Sequence, residues 1–216
     1  MVEKIRSGLA GGSAILLLAL AAHYLPHHDY PLLLLGSMAA SAVLLYAAPH
    51  SPFSQPWNLV GGHFVSALAG WICSLLIVEP SLSAGVAVGA AIFLMYVLKC
   101  LHPPGAATAL TLVLGSAQFH GMGWQWVAWI LIANVVISLL LALIINSVIP
   151  GRHYPMQPIA PGHPKPEPVI VPEQTDIEWA LAQMDSVIDV SIEDLSEIYA
   201  TAQEHANARY ASATRK

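Results

Sequence analysis

Charged residues are scarce in this sequence. Asp, Glu, Lys and Arg make up 10% of its 216 residues, whereas a soluble domain carries about 25%. The chain has no basic stripe, which excludes nucleic acid as a partner. No carboxylate lies within a long apolar segment and no Ser/His/Asp set is visible, so we expect no enzymatic activity.

Cysteine is also scarce, with Cys73 and Cys100 as its two copies. Cys73 lies in the middle of an apolar segment, and Cys100 lies at the end of another. A free cysteine usually fills a small apolar space. The two positions therefore predict buried thiols rather than a disulfide.

Histidine is common, with ten copies, and it raises the question of a metal site. We expect His50, His63 and His102 to lie near one face of the membrane, with Cys100 close by. However, no CxxC, HxxxH or carboxylate cluster accompanies them, and metal sites use closed sets of such ligands. Metal transport is an alternative, but we expect no metal and no other cofactor.

The few charges are divided unevenly along the chain. The first 150 residues carry three acids and three bases, and the net charge of −5 comes from the ten acids and five bases that follow. This division predicts a transmembrane domain over 1–150, a Pro-rich linker over 151–172 and an acidic cytoplasmic tail over 173–216.

Two helix-start patterns occur in the tail. Thr175–Glu178 and Ser191–Asp194 each place a capping hydroxyl three residues before an acid. They predict a helical hairpin, with helices over about 176–186 and 192–211. The alternative is a partly disordered acidic tail.

Long apolar runs dominate the rest of the chain, which is 56% hydrophobic overall. A helix needs about 20 residues to cross a ~30 Å hydrocarbon layer. None of the runs alternates apolar and polar residues as a barrel strand does. We predict an all-α fold, a polytopic transmembrane bundle of about six helices with one short. The predicted spans are 7–25, 31–48, 57–78, 82–99, 103–118 and 125–149.

The basic residues indicate an orientation. Six crossings place Lys4, Arg6, Lys99 and Arg152 on one side, which the positive-inside rule assigns to the cytoplasm. We therefore expect an integral membrane protein with both termini cytoplasmic, in the inner (plasma) membrane of a bacterium. Six short helices enclose little space, so we also expect a homo-oligomer. The lipid bilayer is the other expected partner.

The fifth predicted span is short, and short or Pro-interrupted spans tend to mark binding sites in transporters. The alternative is a span in a thinned or protein-shielded position. A polar pair in the sixth span, Asn134 and Ser138, lies on one helical face. This pair favours hydrogen bonding between helices, and lining a pore is the alternative.

Two polar loops interrupt the apolar sequence, over 51–63 and 99–105, and each places Pro and Gly at the start of a helix. A helix N-terminus offers free backbone N–H groups and partial positive charge. Two such termini that face one another make an anion site. The candidate anion-binding residues are Gln55, Asn58, Gly61, Gly62, His63, Lys99, His102, Pro103, Pro104, Gly105, Ala106 and Thr108.

The expected roles of these residues follow from their chemistry. The prolines start the helix, and the glycines let a ligand approach the backbone. Asn58 is a candidate cap, while Lys99 and His102 supply positive charge or a hydrogen bond. The alternative is that the loops are only Pro-started helices with capping histidines.

Both loops carry the marks of a known family. The segment HPPGAATAL at 102–110, together with SAVLLYAAPHSPFSQPWNLVGGH at 41–63, resembles the HPP family of integral membrane proteins over about 1–150. The resemblance implies a helical membrane protein, and members from plastids and cyanobacteria are associated with nitrite transport. We therefore expect a channel or transporter for a small monovalent anion, with nitrite foremost. The alternative is a non-transporting scaffold or sensor with an acidic regulatory tail.

Overall fold

The structure is a computed structural model that describes residues 2–24, 34–156, 195 and 199. Its contacts divide the chain into two units, Met1–Pro158 and Ile159–Lys216. The described residues of the first unit form α-helices, one 3-10 turn and no strand, so the all-α prediction is confirmed. The helices are α1 (Val2–Tyr24), α2 (Ser37–Ala47), α3 (Pro56–Leu76), α4 (Pro80–Val97), α5 (Pro103–Leu114), α6 (Ser116–Met122) and α7 (Trp124–Val148).

In the second unit, Leu195 and Tyr199 are both helical. They fall within the second helix predicted for the tail. The remainder of the predicted hairpin, and the linker from residue 157 onwards, lie outside the described residues.

Of the described helices, α1, α3, α4 and α7 are long and apolar enough to cross a membrane. The other two helices predicted to cross are shorter: α2 has 11 residues and α5 has 12. At 1.5 Å per residue they measure about 16 Å and 18 Å, well below the ~30 Å of a hydrocarbon core. The sequence predicted one short helix, α5, whereas the structure has two, because α2 is short as well.

The predicted span 31–48 is wrong at its start. Residues 34 and 35 are not helical, and the backbone N–H of Leu35 donates to Asn134 Oδ1 of α7 at 3.2 Å. The chain thus bonds to a neighbouring helix before α2 begins at Ser37. A second difference is α6, which occupies the predicted end of the fifth span and part of the loop that follows it.

Proline begins three of the helices, namely Pro56 in α3, Pro80 in α4 and Pro103 in α5. Its ring fixes φ near the helical value, and its missing N–H is not needed in the first turn. At the start of α4 the carboxylate of Glu79 also accepts hydrogen bonds from two backbone N–H groups of the first turn. These bonds hold the pKa of Glu79 below its usual value.

Helix α4 ends in a tight turn centred on Lys99. The N–H of Cys100 donates to Met95 O at 2.9 Å, and that of Lys99 donates to Tyr96 O at 3.1 Å. This pair of bonds is the Schellman arrangement, whose left-handed residue is usually glycine. Lys99 occupies that position with φ 53°.

Helices α3 and α5 pack closely through small residues. A Cβ built on Gly105 would lie 2.8 Å from Gly62 O, and one built on Gly70 would lie 2.5 Å from Ala109 O. Glycine at such contacts lets two helix backbones approach in a membrane. The close approach places His63 of α3 directly beside Thr108 of α5.

One end of the bundle is tied together by Arg152. Its guanidinium pairs with Glu3 at the start of α1 and donates to Asn146 Oδ1 of α7 at 3.0 Å. The amide of Asn146 donates to Leu45 O near the end of α2 at 3.1 Å. The start of α1 and the ends of α2 and α7 therefore meet at this end, which we call the basic end.

Both cysteines are free and buried, as predicted. Cys100 lies in the turn between α4 and α5, and burial raises the pKa of its thiol.

Candidate functional site

The two polar loops lie against each other at the basic end. Trp57 Nε1 donates to Leu98 O at 3.2 Å, and Asn58 Nδ2 donates to Leu101 O at 2.8 Å. In the other direction, His102 Nδ1 lies 2.8 Å from Phe53 O. These bonds hold the first turns of α3 and α5 side by side.

A chain of buried polar side chains extends inward from the loops. His63 Nε2 and His102 Nε2 each lie 2.9 Å from Ser41 Oγ. On its other side, His63 Nδ1 lies 2.8 Å from Thr108 Oγ1, which lies 2.8 Å from Ser37 Oγ. None of these five side chains is more than 2% exposed. We call Ser37, Ser41, His63, His102 and Thr108 the buried cluster.

Three segments of the chain build the buried cluster. Helix α2 supplies the two serines, α3 supplies His63, α5 supplies Thr108, and His102 precedes the first turn of α5. The two serines were absent from the candidates taken from the sequence. Their spacing was a usable signal, because residues four apart share one face of a helix.

The buried cluster lies next to the start of α2 inside the bundle. Leu35, just before α2, bonds to Asn134, which lies near the middle of α7. Ser138 Oγ, one turn further along α7, lies 3.5 Å from Met38 Sδ. The prediction that this polar face of α7 bonds to another helix is confirmed. Helix α2 thus begins halfway along α7 rather than at the end of the bundle.

Two small cavities border this region. One is lined by Leu35 and Thr108 among apolar side chains and measures about 10 Å³. The other lies between α1, α2 and α7, also measures about 10 Å³, and is lined by Tyr46 and Ser138 among others. Each has room for about one water molecule. The buried cluster is therefore closed to a larger ligand in this conformation.

The predicted role of the glycines is wrong in this structure. A Cβ on Gly61 would lie 2.7 Å from Cys100 Cβ, and one on Gly62 would lie 2.5 Å from His102 Cβ. The space beside Gly105 is filled by the backbone of Gly62. These glycines allow helices and loops to pack, and no room for a ligand is left beside them.

Three other predicted anion-binding residues lie outside the buried cluster. Lys99 is exposed, and no side-chain hydrogen bond or ion pair joins it to another residue of the described part of the chain. Asn58 bonds to Leu101 and does not cap α3. Gln55 donates to Ser51 O at 2.8 Å and accepts from the Met156 N–H at 2.8 Å, so it braces the first loop.

The remaining predicted residues start α5. Pro103 is exposed, Pro104 is buried, and Ala106 is half-buried. His50, considered as a metal ligand, lies apart from the buried cluster, and its Nε2 accepts from the His153 N–H at 3.4 Å. Within residues 2–24 and 34–156, no three His, Cys, Asp or Glu side chains converge on one point.

The chain is similar to known membrane proteins. The family model for the HPP transmembrane region matches residues 1–155. A transmembrane protein of Dictyostelium discoideum is 39% identical over 153 residues, which are 68% of this chain and 53% of the relative. A second from the same organism is 40% identical over 154 residues, 69% and 49% of the respective lengths.

The chain therefore spans about half the length of the curated relatives it matches. No solved structure matches. The family match includes both loops and every residue of the buried cluster.

Proposed function

This chain belongs to the HPP family of integral membrane proteins, and from that premise we propose that it carries a small monovalent anion across the membrane. Nitrite is the foremost candidate, since the sequence resemblance implies it. The observation that carries the proposal is the buried cluster, which five polar side chains form at the start of a short helix inside the bundle.

Polar side chains at membrane depth usually face a substrate or ion path. Short helices whose ends stop inside the bundle mark the binding sites of many transporters. Helices α2 and α5 are both short, and Ser37 and Thr108 join them directly. The anion would bind here, where hydroxyl and imidazole groups donate hydrogen bonds and apolar walls exclude water.

The closed packing favours a transporter over an open channel. The cavity beside Thr108 has room for about one water molecule, so a three-atom anion needs α2 and α5 to separate. Both helices are little more than half the length of a full span, so their separation would not require the movement of a whole transmembrane helix.

The proposal also includes the orientation of the protein in the membrane, its oligomeric state and its location. We assign both termini to the cytoplasm on the positive-inside rule, which the arginine and lysine at the basic end, Arg152 and Lys99, support. The chain acts as a homo-oligomer in the inner membrane of a bacterium and catalyses no reaction. The runner-up function is a scaffold or sensor that signals through its acidic tail.

Flux into proteoliposomes tests the function. Purified protein is reconstituted, and the entry of nitrite, nitrate, formate and chloride is followed against protein-free vesicles. We expect nitrite entry to rise well above the protein-free rate, with slower entry of at least one other anion. If no anion enters faster than into protein-free vesicles, transport is refuted and the scaffold is favoured.

A further inference from the structure

We propose that His63 and His102 share one exchangeable proton through the hydroxyl of Ser41. The proton supplies the positive charge that the buried cluster otherwise lacks. The coupling of this proton to an anion rests on the proposed transport function, whereas the proton site itself does not.

The groups that face the two rings are few. Helix α2 presents the hydroxyls of Ser37 and Ser41, α5 presents that of Thr108, and the first loop presents the carbonyl of Phe53. Within α3, the hydroxyl of Ser66 lies 3.8 Å from the sulfur of Met95 in α4, and the next thiol is Cys100 beside Gly61.

The charged groups of the described chain are placed away from the rings. Glu3 and Arg152 pair with each other, and Glu79 caps α4 at the opposite end of the bundle. The remaining charged residues, Lys4, Arg6 and Lys99, are exposed. The two imidazoles are therefore the groups of the buried cluster that can gain or lose a proton.

The hydrogen bonds of the two Nδ1 atoms, which we call the outer hydrogen bonds, fix one proton on each ring. A carbonyl oxygen only accepts, so His102 Nδ1 carries a hydrogen that it donates to Phe53 O. Thr108 donates its single hydrogen to Ser37 Oγ, so His63 Nδ1 also carries a hydrogen, which it donates to Thr108 Oγ1.

The inner hydrogen bonds, which join the two Nε2 atoms to Ser41 Oγ, then lack one hydrogen. With Nδ1 protonated on both neutral rings, both Nε2 atoms are acceptors, and they face one hydroxyl that has a single hydrogen. One Nε2 would be left without a donor in a buried site, which is unfavourable. The Ser41 hydroxyl also lies 3.1 Å from Ser37 O, to which it can donate. One added proton satisfies both ring nitrogens when Ser41 turns its hydrogen from this carbonyl to one ring, because the other ring then donates to Ser41 Oγ.

The added proton can move between the rings without changing the outer bonds. The ring that holds it passes its Nε2 hydrogen to Ser41 Oγ while Ser41 passes its own hydrogen to the Nε2 of the other ring. One N–H bond breaks and another forms, and the count of protons stays the same. A second added proton is disfavoured, since the ring centroids lie 5.0 Å apart and two cations would repel at low dielectric.

Burial opposes a lone positive charge, and a bound anion beside the rings would offset it. Binding of the anion and binding of the proton then strengthen each other by the same factor. Transport by this route moves one proton with one monovalent anion and is electrically neutral.

Nitrogen-15 NMR of the full-length protein, labelled at histidine and held in lipid nanodiscs, tests the proton site. His63→Gln and His102→Gln variants assign the two rings. We expect Nδ1 protonated on both rings, and the two Nε2 signals to respond together in one titration step with or without nitrite. In Ser41→Ala the two rings should titrate separately, whereas Ser13→Ala, a serine on α1 that bonds to its own helix, should match the parent.

Two results would overturn the proton site. One is a His63 ring that carries its proton on Nε2 alone wherever the protein is folded, because Thr108 then donates to Nδ1 and no proton is missing. The other is equal behaviour of Ser41→Ala and the parent.

A pH-sensitive dye inside proteoliposomes tests the coupling separately. We expect one proton to enter with each nitrite, and the rate to be independent of membrane potential. Nitrite entry without protons would refute the coupling and leave the NMR result standing. Absence of any anion entry would refute the transport function instead.

Discussion

Gly62 and Gly105 face each other where α3 crosses α5, so closely that a Cβ on Gly105 would lie 2.8 Å from the carbonyl oxygen of Gly62. The two atoms nearest to such a Cβ belong to the Gly62 backbone, which cannot give way as a flexible side chain could. The crossing also carries the side chains of the buried cluster, because His63 follows Gly62 and Thr108 lies one turn beyond Gly105.

Gly105→Ala should therefore destabilise the protein. Overpacking of a close contact costs about 1–3 kcal/mol, which exceeds the gain of up to about 1 kcal/mol from the higher helix propensity of alanine. Thermal unfolding of the protein in detergent measures the effect. Gly85→Ala is the control, since nothing lies within 4 Å of a Cβ built there, and it should be neutral or stabilising. Equal behaviour of the two variants would contradict the packing described for α3 and α5.

Lys99→Gly should stabilise the protein. Lys99 has φ 53°, and a residue with a Cβ pays about 1–2 kcal/mol in this left-handed region. Lys99→Ala removes the charge but keeps the Cβ, so it should leave stability near that of the parent. Equilibrium unfolding of the two variants in mixed micelles distinguishes the backbone effect from the charge effect. A loss of stability in Lys99→Gly would mean that the lysine side chain has a structural role.

Arg152→Ala should loosen the basic end. The Arg152 side chain is 3% exposed and that of Glu3 is 26% exposed, so removal of the arginine leaves a partly buried carboxylate and the Asn146 oxygen without a donor. Breaking a buried pair costs about 3–5 kcal/mol, and the partial exposure of Glu3 lowers the expected loss to about 2–3 kcal/mol. Thermal unfolding measures it, with Arg6→Ala, an exposed arginine of α1, as the control. A loss no larger than that of Arg6→Ala would contradict a stabilising role for the pair.

Two exposed positions report the orientation in the membrane. Lys99 lies at the basic end of α4, and Glu79 lies at its other end. In a background without the two buried cysteines, an impermeant thiol reagent applied to intact cells should label Glu79→Cys and not Lys99→Cys. Permeabilised cells provide the control in which both are labelled. Labelling of Lys99→Cys alone in intact cells would reverse the predicted orientation.

Local signals in the sequence predicted much of the fold. Pro56, Pro80 and Pro103 each begin a helix close to a predicted boundary, because proline acts on the chain within its own turn. The juxtaposition of the two loops was also expected, since an even number of passes returns them to the same end.

The remaining features depend on contacts between distant residues. Helix α2 begins late because Asn134, 99 positions away in the chain, binds the backbone at Leu35. Ser41 joins the two histidines only after three segments have packed together. In a hydropathy profile, Ser37 and Ser41 are small residues within an apolar run, and the profile does not indicate which side chains they bond to. The sequence analysis predicted that the glycines give a ligand access to the backbone, but in the structure their small size allows α3 and α5 to pack closely.

Two threonines of α5 offer a way to test the buried cluster apart from the helix that carries it. Thr108 bonds to His63 and Ser37, whereas Thr111 bonds to the Ala107 carbonyl of its own helix. Valine has nearly the same shape as threonine but no hydroxyl, so each substitution removes one hydroxyl from the same helix.

Nitrite entry into proteoliposomes that contain Thr108→Val or Thr111→Val tests the central claim most directly. One hydrogen bond to a charged group contributes about 1.5–3 kcal/mol, so Thr108→Val should reduce nitrite entry by roughly tenfold or more, while Thr111→Val should retain the parental rate. If Thr108→Val is folded and carries nitrite as fast as Thr111→Val, the buried cluster is not the path of the anion.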